Sequence, residues 1–65
     1  MKLHYLPITE IYNDKGQLVA ENIDIENYRF IFKVPKQVPD TTIQKALDAK
    51  RDIKWLMNEY PEEFI

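Results

Sequence analysis

Sixty-five residues, 45% of them apolar and 31% charged, suit one small folded domain and exclude both a disordered tail and a multidomain chain. The absence of cysteine rules out a disulfide framework and a thiolate metal site, so packing alone must hold the fold. A formal net charge of -2 argues against a dedicated nucleic-acid binder, which usually carries a marked positive excess, and no stretch approaches the length that spans a bilayer.

The opening MKLHYLPITE lacks the long apolar run of a signal peptide, so a soluble, cytoplasmic protein is expected. From about residue 2 to 12, Leu3, Tyr5, Leu6, Ile8, Ile11 and Tyr12 alternate imperfectly around Pro7. Proline cannot donate to a ladder, which suggests an edge strand or two short pieces. Asn13-Asp14-Lys15-Gly16 is the best hairpin signal in the chain, because Asn and Asp favour turns and Gly takes a positive φ. A second strand is expected over about 17–25, paired back along Glu10 to Tyr12.

Asn27 permits another turn, and residues 28–34 alternate well enough to predict a third strand. Tyr28, Phe30, Phe32 and Val34 would form its helix-facing side. Pro35 to Pro39 reads as a stiff extended linker. Residues 41–60 then show a helical period, with Ile43, Ala46, Leu47, Ala49, Ile53, Leu56, Met57 and Tyr60 in one apolar arc. Asp40 or Thr41 is the expected N-cap, with Thr41 and Gln44 as a capping box, and Pro61 ends the helix.

The expected fold class is therefore α+β: a single domain over residues 1–65, a three-stranded antiparallel meander with one C-terminal helix packed on one face. Such a sheet leaves its second face open, with some of Leu3, Tyr5, Ile11, Tyr12 and Ile31 on it.

Chemistry-bearing residues are sparse. His4 is the sole histidine, and no second ligand pattern accompanies it. Thr41 and Thr42 are explained by helix capping. Glu62 and Glu63, and the looser group Glu21, Asp24 and Glu26, lack the ligand run of a calcium loop and read as solvated surface. No catalytic residue, metal site or cofactor is expected, and the chain is read as a non-enzyme.

Trp55 falls among polar residues on the helical wheel. Flanked by Arg51, Asn58 and Glu59, it has the composition of an interface hot spot with a charged rim. The plainer account is that it packs on the Arg51 stem or lies under a chain end such as Phe64. The leading functional expectation is a protein-protein interaction module, of the kind that serves as a small regulator or inhibitor of a larger protein.

A competing expectation rests on the segment from Arg29 to Lys54, where seven basic residues face three acids. Nucleic-acid binding there would use Arg29, Lys33, Lys36, Lys45, Arg51 and Lys54, although Asp48 and Asp52 cancel much of the field. A third expectation is a structural homodimer joined through edge strands or sheet faces. Short chains of this kind, without catalytic residues, are common among phage accessory proteins.

Overall fold

In a computed structural model, residues 9–65 are described, and they form a β-hairpin followed by three helices and a terminal 3-10 turn. The elements are β1 (Glu10–Tyr12), β2 (Leu18–Glu21), α1 (Ile25–Phe32), α2 (Asp40–Ala49), α3 (Ile53–Glu59) and the 3-10 turn (Pro61–Phe64). The class is α+β, but the expected three strands and one helix are corrected to two strands and three helices among the described residues. Leu3, His4, Tyr5, the break at Pro7 and the early part of the first expected strand lie outside the described residues.

The hairpin forms because Asn13 organises its own turn. Its Oδ1 accepts from the backbone N–H of Lys15 at 2.9 Å and of Gln17 at 3.0 Å, and Gly16 adopts φ 78°. Glu10 pairs with Glu21, Ile11 with Ala20 and Tyr12 with Leu18, with an irregularity between Ile11 and Tyr12. The second strand stops at Glu21 and does not reach residue 25, since Asn22 turns to φ 60° and donates its N–H to the Thr9 carbonyl at 2.7 Å.

The expected third strand is instead α1. Asp24 caps it by accepting from the Asn27 N–H at 2.9 Å, and Glu26 places a negative charge in the first turn. Ile25, Tyr28 and Phe32 share one face at helical spacing, and the Tyr28 and Phe32 rings meet with centroids 4.6 Å apart. An apolar run this short fits either period. The aspartate cap and inward packing of successive turns favour the helix over a strand.

After α1 the chain turns rather than extends. Lys33 takes the left-handed conformation at φ 53°, and Val38 donates its N–H to the Pro35 carbonyl at 3.1 Å while its own side chain is fully buried. Arg29 holds this corner: its guanidinium donates to the carbonyls of Pro35 (3.3 Å) and Val38 (2.6 Å) and pairs with Asp40 at 2.7 Å. Pro39, not Asp40 or Thr41, occupies the N-cap of α2, with no side-chain cap bond.

The long helix expected over 41–60 is broken after ten residues. Lys50 adopts φ 60°, the Arg51 N–H reaches back to the Ala46 carbonyl at 3.0 Å, and Asp52 caps α3 by accepting from the Trp55 N–H at 3.4 Å. The break resets the helical phase. Ile43, Ala46, Leu47 and Leu56 are buried as expected, whereas Ala49 and Met57 are exposed.

Every element contributes to one core: Ile11, Ile23, Tyr28, Val34, Val38, Ile43, Ala46, Leu47 and Leu56, with Ala20, Trp55, Tyr60 and Phe64 packed at its edge. The turn between α2 and α3 is tied in from two sides. Tyr12 donates its N–H to the Lys50 carbonyl at 2.9 Å, and the Tyr28 hydroxyl donates to the Arg51 carbonyl at 2.8 Å. Among the described residues the sheet face expected to stay open is not built from the residues expected there: Ile11 is in the core and Ile31 belongs to a helix, while Leu18 and Val19 of β2 are exposed.

Candidate interaction surface

Burying Tyr28 and Phe32 turns the opposite side of α1 outward, because residues half a helical turn away must face solvent. Phe30 stands there with 83% of its surface exposed, and Ile31 beside it is 48% exposed. Glu26 and Asn27, one turn earlier, are also exposed and frame the pair with polar groups. An apolar patch with a polar border is the composition of a protein-binding surface. Reading 28–34 as a strand placed Phe30 inside; the helical spacing of Ile25, Tyr28 and Phe32 after Asp24 is the signal that finds it.

Of the residues expected around Trp55, the structure brings together Trp55, Asn58 and Glu59, which share one face of α3 at spacing i, i+3 and i+4. Asn58 and Glu59 are exposed, while Trp55 is half-buried against the core and meets Tyr60 edge-on at 6.3 Å between centroids. Arg51 lies outside α3, in the preceding turn, where its backbone carries structural bonds and its side chain approaches Asp14 at 4.0 Å.

The basic residues are dispersed in role. Arg29 is bound into the α1–α2 corner, Lys45 places its Nζ 5.4 Å from the Tyr60 ring centroid, and Arg51 faces Asp14. Lys33, Lys36 and Lys54 are exposed, on the end of α1, the following turn and α3. Asp48 accepts from Gln44 at 3.0 Å and Asp52 caps α3, and neither belongs to the ion pairs of the described residues, Arg29 with Asp40 and Arg51 with Asp14.

Between the start of α1 and the middle of α2 lies an open cleft of about 480 Å³, lined by Thr9, Ile23, Asp24, Ile25, Glu26, Gln44, Leu47 and Asp48. Ile23 and Leu47 are buried and Ile25 half-buried, whereas Asp24, Glu26, Gln44 and Asp48 are exposed. The cleft is therefore apolar at depth and acidic at its mouth.

Two tyrosines titrate above the ordinary value. Burial pushes the Tyr28 phenol up, and the nearby Asp52 carboxylate adds to the shift; Tyr12 is raised by its hydroxyl bond to Glu10 Oε1, 2.6 Å long, and to a smaller extent by burial and by the charges of Glu10 and Glu21. Among the described residues no group of three His, Cys, Asp or Glu is placed to hold a metal ion, and no helix is long and apolar enough to cross a membrane. Comparison with family models, curated proteins and solved structures found no match.

Proposed function

We propose that the domain is a non-enzymatic protein-binding module that acts on a larger protein as a regulator or inhibitor, with the outer face of α1 as its principal contact. The observation that carries this is Phe30. A 65-residue chain has little apolar area to spare for its core, and a helix that leaves an aromatic side chain 83% exposed forgoes burial worth about 1.5–3 kcal/mol. A partner recovers that burial. Ile31 extends the apolar contact, and Glu26 and Asn27 supply a polar border.

Trp55 enters this reading as a secondary contact, because its exposed edge borders Asn58 and Glu59 while its body supports the core. A cytoplasmic location belongs to the same proposal and is supported by the cysteine-free sequence.

Photo-cross-linking tests the assignment. A benzophenone side chain at Phe30 should form a discrete adduct with another protein in cells, while the same group at the exposed hairpin residue Lys15 should not. Equal or absent adducts at the two positions would remove the proposal. An adduct of the protein with itself would assign the face to a homodimer instead.

A further inference from the structure

The acid-mouthed cleft at the other end of α1 has a chemistry distinct from the Phe30 patch. Asp24, Glu26 and Asp48 converge on it from two helices, and its depth is lined by Ile23, Ile25 and Leu47. Asp24 and Asp48 each use one carboxylate oxygen internally, accepting from the Asn27 N–H and from Gln44, and the other oxygen has no hydrogen-bond partner among the described residues. Among the described residues the ion pairs are Arg29 with Asp40 and Arg51 with Asp14, so neither brings a cation to the cleft.

We propose that this cleft takes a basic, apolar segment of the protein partner: an Arg or Lys whose methylene stem lies on Ile23, Ile25 and Leu47 while its charge meets the three carboxylates, with an apolar neighbour completing the burial. Charge complementarity selects the cation, since the mouth carries three negative groups and no positive one among the described lining residues. The apolar depth selects a side chain with a long stem over a bare ion, and among the described residues no three acids are grouped closely enough to hold a metal. A volume of about 480 Å³ lies within the common range for ligand clefts. The inference rests on the protein-binding reading: Glu26 is one helical turn before Phe30, so a segment seated in the cleft continues along α1 toward the exposed ring.

The test is selection of a random dodecapeptide phage library on the whole protein, followed by affinity measurement and amide chemical-shift mapping with the enriched peptides. Peptides rich in Arg or Lys with adjacent apolar residues are expected, shifting Ile23, Ile25 and Leu47. Binding should weaken about tenfold in Glu26→Gln/Asp48→Asn, which removes two charges without removing hydrogen-bonding atoms. Weakening by added salt should accompany it.

Recovery of no peptide, or of peptides without basic residues, overturns the inference, as does equal affinity for wild type and the double variant. Contacts of residues 1–8 with Ile23 and Leu47 in the free protein also overturn it, because the cleft then serves the chain itself. Failure of the two proposals is separable: peptides lost in Phe30→Ser but kept in the double variant leave the protein-binding reading standing without the cleft. Cleft binding with no adduct at Phe30 does the reverse.

Discussion

The hydroxyl of Tyr28 donates to the backbone carbonyl of Arg51 at 2.8 Å, joining α1 to the α2–α3 turn across 23 positions of the chain. The ring is fully buried, so its single polar atom has found a partner where water cannot reach. Tyr28→Phe keeps the packing and orphans the carbonyl, and should cost about 1–2 kcal/mol in urea unfolding. Tyr28→Ala also opens a cavity and should cost about 3–5 kcal/mol, enough to unfold a domain of this size. Equal losses would mean that the ring contributes nothing beyond its hydroxyl.

Burial raises the Tyr28 phenol above its ordinary 10.0, with the Asp52 carboxylate adding to the effect. Above pH 10 the unfolded chain releases this proton and the folded chain keeps it, so the unfolded state binds fewer protons and stability falls as pH rises. The contribution is complete below pH 10 and declines above it by up to about 1.4 kcal/mol per pH unit. Thermal unfolding between pH 8 and 11 should therefore show a drop in Tm that is shallower in Tyr28→Phe. An identical drop in the variant would assign alkaline loss to other groups.

Arg29 separates a salt bridge from a hydrogen-bonded staple. Its pair with Asp40 is accessible to water, the two side chains being 27% and 68% exposed, so Asp40→Asn should cost less than about 0.5 kcal/mol. Arg29→Met also leaves the Val38 carbonyl without its donor and the Pro35 carbonyl with the Val38 N–H alone, and should cost about 1–3 kcal/mol. Arg29→Lys should rescue little, because an ammonium cannot reproduce the planar fork. Chemical denaturation of the three variants orders these effects; a costlier Asp40→Asn would put the charge pair first.

Lys50 ends α2 with φ 60°, a conformation that costs a side-chain-bearing residue about 1–2 kcal/mol. Lys50→Gly should stabilise the protein by about 1 kcal/mol, and Lys33→Gly at φ 53° should act alike. Calorimetry should show a higher Tm for each. A lower one would indicate that glycine loosens the unfolded chain by more than the strain it relieves.

Phe30→Ser and Ile31→Ser should leave stability within about 0.5 kcal/mol of wild type, because neither site lies in the core. Cross-linking to the partner should be lost in both, when the probe is moved to Asn27. Destabilisation above 1 kcal/mol would show the two side chains to be part of the fold instead of a surface.

Local chemistry determined part of this protein directly. The Asn13–Gly16 turn and the pairing of Glu10 to Tyr12 with the strand after it follow from side chains that bond to their own backbone, and the apolar positions Ile43, Ala46, Leu47 and Leu56 follow from helical period. The tertiary structure decided the rest. Residues 28–34 satisfy a strand's alternation and a helix's spacing equally well; burying Tyr28 against the α2–α3 turn selects the helix and thereby expels Phe30. The break at Lys50 carries no glycine or proline to announce it; the bonds of Tyr12 and Tyr28 to the Lys50 and Arg51 carbonyls hold the turn, and α3 after it places Leu56 in the core. Whether Trp55 was covered depended on that same turn, which sets α3 against the core, while its contact with Tyr60 is local to the end of α3.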